Sequence, residues 1–210
     1  VSVRIVTDST ADLPADLVAK HAINIVPLSV FFGDNEFLDN VEIDSEHFFY
    51  RLERATALPT TSQPSAGAFH AVYQQLKNEG TTEILSIHLS EKLSGTLSSA
   101  RQGAEGIDDV RIELVDSGLT TLALGLGVLA AAEAVEEGAN LDKAREVATS
   151  KFARTHTFFL VDTLEYLRRG GRIGHAQEML GSVLRLKPLL SLQNGEVVPI
   201  GRVRTKARAL

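Results

Sequence analysis

Ile84-Leu85-Ser86-Ile87-His88-Leu89-Ser90-Glu91-Lys92-Leu93-Ser94-Gly95-Thr96-Leu97-Ser98-Ser99-Ala100 decides how this chain is read. It opens as a buried strand, passes through a turn rich in hydroxyls and enters a helix. Such a turn aims free backbone N–H groups and side-chain hydroxyls at one point, which is how a protein without a metal holds an anion. Three other segments end in the same way: Val6-Thr7-Asp8-Ser9-Thr10, Thr60-Thr61-Ser62-Gln63-Pro64-Ser65 and Leu114-Val115-Asp116-Ser117-Gly118. Four such ends predict one crevice lined with hydroxyls.

Working outward, strands and helices alternate. Residues 3–7 read as a strand, and Asp12-Leu13-Pro14 starts a helix to about His21. Residues 23–32 read as one further strand, Gly33-Asp34-Asn35 as a turn, and Asp44-Ser45-Glu46 as the cap of a helix containing Phe48, Phe49 and Leu52. Residues 56–64 read as a loop with Pro59 and Pro64, followed by an amphipathic helix from Ala66 to Asn78 closed by Gly80. The strand of residues 83–89 leads to a helix over 96–106. Strand 110–115, helix 119–137 and helix 142–154 come next. This order predicts an α/β fold of right-handed βαβ units around a mostly parallel sheet. Ligands on such sheets bind at the carboxyl ends of the strands, where the hydroxyl-rich turns fall.

After about residue 155 the pattern changes. A strand at 157–161 precedes a short helix from Thr163 to Arg169, stopped by Gly170-Gly171. Met179 to Leu186 reads as a helix ending before Pro188. Residues 189–192 and 197–203 read as a hairpin around Asn194-Gly195. The division is a parallel α/β domain over 1–154 and the start of a smaller, basic α+β domain over 155–210. The last residues, from Thr205 to Leu210, read as a helix cut in its first turn, so the second domain is expected to be truncated.

Composition narrows the classes. At 44% hydrophobic and 23% charged residues, the 210-residue chain is of the ordinary globular kind. It has no cysteine, which removes disulfides, thiolate nucleophiles and cysteine metal sites and fits a reducing, cytoplasmic setting. The most apolar uncharged run, Ser117 to Ala132, is shorter than the roughly 20 apolar residues a bilayer requires, so no transmembrane segment is expected. The net charge of −6 hides an asymmetry: residues 1–150 carry a net −13 and residues 151–210 a net +7. A basic second domain is suited to an anionic ligand or partner.

Several chemistries lack their motifs. There is no Gly-x-x-x-x-Gly-Lys loop and no Gly-x-Gly-x-x-Gly after a strand; Gly125 and Gly127 lie inside a helix pattern. The six histidines show no His-x-x-x-His pairing, so no metal is expected, and Asp8 and Asp116 read as cap residues. A triad of Ser94, His88 and Asp116 can be drawn, but the Gly-x-Ser-x-Gly elbow is missing and His88 reads as a satisfied core histidine. Thr61 and Ser94 sit in hydroxyl-rich loops beside helix starts, which suits either a carboxylate or phosphate ligand or ordinary N-capping. Leu167-Arg168-Arg169-Gly170-Gly171-Arg172-Ile173-Gly174 gathers three arginines around two glycines, which suits either anion recognition or a solvated helix end. Nucleic-acid binding calls for exposed aromatics among the basic residues, and only Tyr166 is close.

Together these segments resemble the DegV family, the bacterial fatty-acid-binding proteins. The resemblance is carried by Val6-Thr7-Asp8-Ser9-Thr10-Ala11-Asp12-Leu13-Pro14, the Thr60–Ser65 and Leu89–Thr96 segments, Val115-Asp116-Ser117 and Leu164-Glu165-Tyr166-Leu167-Arg168-Arg169-Gly170-Gly171-Arg172-Ile173, in the family's order. It implies a parallel-sheet N-terminal domain packed on a smaller α/β domain, with a long-chain fatty acid between them and its tail buried. The carboxylate would be held by Thr61 and Ser94. Ser62, Gly95, Thr96 and Arg172 would be contacts to ligand or partner. The protein would be a carrier, not an enzyme, with no cofactor. It would present its acid to a separate ATP-dependent fatty acid kinase that makes the acyl phosphate. Family members continue to a Thr-His segment near their C-terminus that is not found here.

Two other classes compete. One is a hydrolase or transferase acting on an acyl or phospho substrate through Ser94. The other is a module that binds small anions without any lipid tail.

Overall fold

A computed structural model describes residues 3–180 and 187–205. The chain divides into two compact units, Val1–Ala153 and Arg154–Leu210. The first is built on a four-stranded parallel sheet of β1 (Val3–Asp8), β2 (Asn24–Val26), β6 (Glu83–His88) and β7 (Arg111–Asp116), in the order β2-β1-β6-β7. Beside it lies a three-stranded antiparallel sheet of β3 (Ser29–Phe32), β4 (Asn35–Leu38) and β5 (Thr60–Ser62), with β3 in the middle.

The helices of the first unit are α1 (Ala15–Lys20), α2 (Ser45–Leu52), α3 (Ala66–Asn78), α4 (Thr96–Gly103), α5 (Thr121–Glu136) and α6 (Leu141–Ala153). Phe69, Tyr73 and Leu76 of α3 and Ala100 of α4 pack on Val6, Val26 and Ile84 of the parallel sheet. Each large side chain sealed there contributes roughly 1.5–3 kcal/mol. α5 and α6 pack together and against β1 and β6. They approach closely because Gly127 leaves room for the Phe152 ring: a Cβ at Gly127 would lie 2.0 Å from it.

Residues 23–32 form two strands rather than one. Pro27 has no N–H to give a ladder, so β2 ends at Val26 and the chain crosses to the second sheet. The Leu28 amide is taken up by Ser9 Oγ at 3.1 Å. Gly33, at φ +61°, fills the first position of the two-residue turn between Phe32 and Asn35, the type II′ pattern. The loop expected over residues 56–64 contains β5, in which Thr61 pairs with Val30. The Thr60–Ser65 segment therefore belongs to the antiparallel sheet. Only three of the four hydroxyl-rich ends lie at the carboxyl edge of the parallel sheet, after β1, β6 and β7.

The second unit is α+β. β8 (Phe158–Leu160), β9 (Lys187–Gln193) and β10 (Glu196–Val203) form an antiparallel sheet in the order β10-β9-β8. Asn194 and Gly195, at φ +51° and +82°, make the expected two-residue turn between β9 and β10. α7 (Glu165–Arg169) ends at Gly170, and residues 174–179 form a 3-10 turn. The helix expected from Met179 to Leu186 falls largely outside the described residues, as does the opening helix expected after Thr205.

Candidate functional site

The parallel sheet changes direction between β1 and β6, because β1 leads to β2 on one side and β6 leads to β7 on the other. At this point Asp8 ends β1 and His88 ends β6, on the face covered by α3. His88 Nδ1 lies 2.9 Å from Asp8 Oδ2, and the same oxygen accepts the Leu89 amide at 3.1 Å. Asp8 Oδ1 accepts the Thr10 amide and hydroxyl. On its other side His88 Nε2 lies 2.8 Å from Ser86 Oγ, which lies 2.8 Å from the Tyr73 hydroxyl. With the Nδ1–H tautomer the chain closes: Tyr73 donates to Ser86, Ser86 to His88, and His88 to Asp8. Burial pushes the Tyr73 phenol well above its usual range.

This network excludes the drawn triad and makes His88 the satisfied core histidine that its apolar strand suggested. Both ring nitrogens of His88 are spent on Ser86 and Asp8, leaving neither for Ser94 or Asp116. Asp116 instead accepts the Gly118 amide at 2.8 Å, closing a local turn. Among the described residues no three His, Cys, Asp or Glu side chains are placed to hold a metal.

Beyond His88 the chain turns through Ser90–Gly95 into α4. The amides of Leu93 and Ser94 bond back to the Ser90 carbonyl, at 3.0 and 3.1 Å. This brings Ser94 to the mouth of the helix, where the first-turn amides have no carbonyl within the helix to bond. Ser94 Oγ lies 2.9 Å from Thr96 Oγ1 and accepts the Thr96 amide at 3.3 Å. Thr96 is buried, whereas Ser94 and Gly95 are half-buried. By contrast, Ser65 is an ordinary cap of α3, accepting the Ala68 amide.

Thr61 arrives from the other sheet. It is exposed, and its hydroxyl makes no hydrogen bond among the described residues. Ser62 is also exposed, with its hydroxyl given to the Gln63 carbonyl. Gln63 joins this strand to the Ser94 turn: its Nε2 donates to Ser99 Oγ at 3.2 Å, and its amide covers Gly95. Through this contact the strand that carries Thr61 and Ser62 meets the turn that carries Ser94, Gly95 and Thr96. Gln63 was not among the residues expected to matter. Its one signal in the sequence is a long amide side chain set two residues after Thr61 and just before Pro64.

Arg172 belongs to the second unit. It is exposed beside the glycine pair that ends α7, and its guanidinium donates to the Gly170 carbonyl at 2.5 Å. Gly171 takes φ +74° there. The first unit also has an open cavity of about 630 Å³ between α2 and the β3–β4 turn. Arg51, Arg54, His47 and Tyr50 line it, and none of the predicted site residues does.

A family model described as uncharacterised protein, DegV family, matches residues 2–210. The chain belongs to the DegV family. A DegV domain-containing protein of Streptomyces coelicolor is 43% identical over 208 residues, covering 99% of this chain and 73% of that one. A solved DegV family protein from Thermus thermophilus, described by its fatty acid binding, superposes with a TM-score of 0.90 at 40% identity, covering 100% of this chain and 74% of that one. Bacillus subtilis DegV, described as a fatty acid binding protein, superposes at 0.89 with 36% identity, covering 99% and 74%. The parallel-sheet α/β architecture with a smaller α+β unit is therefore the DegV fold. Among the described residues no helix is long and apolar enough to cross a membrane.

Proposed function

We propose that this DegV-family protein is a carrier for a long-chain fatty acid, which it holds without chemical change and presents to a separate ATP-dependent fatty acid kinase. The observation that carries the reading is the Gln63–Gly95 contact, which joins the strand of the unengaged Thr61 hydroxyl to the turn of the Ser94 hydroxyl at the mouth of α4. Both donate to a carboxylate in this reading, and the positive end of the helix favours its charge. Ser62, Gly95 and Thr96 complete the surroundings, and Arg172 in the second unit serves as a partner contact. The names of the Thermus and Bacillus relatives support the ligand class. Each tail methylene taken from water adds roughly 0.8 kcal/mol. Two neutral hydroxyls anchor the head without the grip of a buried arginine pair, which suits a carrier that must release its cargo.

Among the described residues Ser94 Oγ bonds only to Thr96, and both His88 nitrogens are engaged by Ser86 and Asp8. A nucleophilic serine needs a general base. This favours carriage over hydrolysis or acyl transfer.

The test begins with solvent extraction and mass spectrometry of the purified protein. A long-chain fatty acid near one per chain is expected, as is ATP-dependent phosphorylation of that acid by a fatty acid kinase only in this protein's presence. Thr61→Ala and Ser94→Ala should each weaken acid binding about tenfold or more, since each removes a hydrogen bond to a charged group. Binding of inorganic phosphate with no lipid would point to the small-anion module. Turnover of an acyl ester by the protein alone, lost in Ser94→Ala, would point to an enzyme.

A further inference from the structure

The contact between Gln63 and Gly95 is closer than a turn beside a strand requires. Gly95 has φ −76° and ψ 10°, a backbone any residue adopts, so conformation does not demand glycine there. Space does. A Cβ at Gly95 would lie 2.5 Å from Gln63 Oε1, 2.6 Å from Nε2 and 2.8 Å from Cδ. The whole amide group therefore rests on the glycine. Its Nε2 then reaches Ser99 Oγ, one helical turn beyond.

The backbone of Gln63 is held as well. Pro64 follows it and is buried, and a residue before proline is confined to extended conformations. Thr61 lies two residues before this contact on one side, and Ser94 one residue before it on the other. Two chain segments from different sheets therefore meet at this amide, next to the packing of α3 on α4. Binding groups must be held to within about 0.5 Å to act together. The packing of α3 on α4 sets the coarse placement of the two segments that lead into them, and the Gln63–Gly95 contact is the link nearest the two hydroxyls.

We infer that Gln63 is a positioning residue. By resting on Gly95 and bonding Ser99, it sets the separation of the Thr61 and Ser94 hydroxyls and makes the pair selective for a carboxylate head group. This rests on the reading that those two hydroxyls hold the carboxylate. It also accounts for the Thr-Ser-Gln-Pro and Ser-Gly-Thr sequences as two halves of one device: the glutamine of one lies on the glycine of the other.

The experiment compares binding of hexadecanoate and hexadecanol to delipidated protein. The two ligands share a tail and differ in head group, so a general loosening of the fold weakens both alike. The variants are Gln63→Ala, Gly95→Ala and the double variant, with Thr61→Ala and Ser94→Ala in parallel. Gln63→Ala and Gly95→Ala should each weaken hexadecanoate about fivefold, the effect of one net hydrogen bond, and leave hexadecanol within about twofold. Gly95→Ala should add little in the Gln63→Ala background, where the atoms it would strike are gone. The inference is overturned if acid and alcohol weaken alike, or if both single variants leave the acid unchanged while Thr61→Ala and Ser94→Ala weaken it. If Thr61→Ala and Ser94→Ala leave hexadecanoate unchanged, the carboxylate reading itself fails and the role of Gln63 falls with it. Gly95→Ala carries the comparison if Gln63→Ala proves unstable, because alanine suits that backbone.

Discussion

The Asp8 carboxylate meets His88 Nδ1 at 2.9 Å, and neither side chain has any exposure to water. The pair joins the ends of two neighbouring parallel strands where the sheet reverses its order. Removing one partner leaves a buried charge or donor unanswered, which costs about 3–5 kcal/mol. Asp8→Ala also strands the Leu89 amide and both Thr10 donors. Urea unfolding of Asp8→Ala and His88→Ala should show losses of that size. A change under about 1 kcal/mol in both would mean the network relaxes without it.

Tyr73, at the other end of the same network, links stability to alkaline pH. Its phenol is raised in the folded protein, so its contribution is complete below the usual phenol range and is lost as pH rises through the raised value. Tyr73→Phe should cost about 1 kcal/mol at pH 7, where Ser86 loses a donor. The gap between wild type and Tyr73→Phe should then narrow or reverse in urea titrations near pH 11. A gap of equal size at both values would show that the phenol does not ionise differently on folding.

Gly127 sets two known effects against each other. Glycine to alanine inside a helix gains up to about 1 kcal/mol from propensity. Here the new methyl would lie 2.0 Å from the Phe152 ring, and overpacking of this kind costs about 1–3 kcal/mol. Gly127→Ala should therefore destabilise the first unit. In a Phe152→Leu background the same change should be neutral or favourable, and thermal unfolding of the four proteins decides it.

Asp12 carries an acidic group in an unfavourable place. Although Asp12 is exposed, partial loss of water around its carboxyl raises it above the ordinary value, and the Asp39 and Asp8 carboxylates raise it further, an effect that solvent screening keeps small. A raised carboxyl adds stability only where it is protonated, and that contribution is lost as pH rises through the raised value. At neutral pH the charge is therefore a burden. Asp12 also takes φ +49°, which asparagine adopts readily. Asp12→Asn should raise Tm by about 1–2 °C at pH 7, with the gain shrinking below about pH 4. A gain that persists unchanged in acid would assign the effect to the backbone alone.

The sequence made some of this plain and hid the rest for identifiable reasons. α3 was legible to the residue because Ser65 and Gly80 mark its limits and its apolar face repeats with helical spacing. The βαβ order was legible because Ile84–His88 and Val3–Val6 are dense in branched apolar residues. Residues 23–32 read as one strand because the same residue types continue across Pro27, and only the missing N–H tells where the chain changes sheet. β5 read as a loop because it is short, polar and set between prolines, and its partner Val30 lies 31 residues earlier. Thr61 and Ser94 stood out by their chemistry and by the family resemblance. Gln63 did not, because its place depends on the absence of a side chain at Gly95, a residue distant in sequence.

Ser86, His88 and Asp8 have a consequence for assigning function by shape. Their connectivity, hydroxyl to Nε2 and Nδ1 to carboxylate, is the one a serine hydrolase uses. A geometric template for such enzymes would match them. All three are wholly buried, so no ester could reach the hydroxyl and no water could finish the reaction. In this fold the arrangement is a rivet between strands, and access is the property that separates it from an active site.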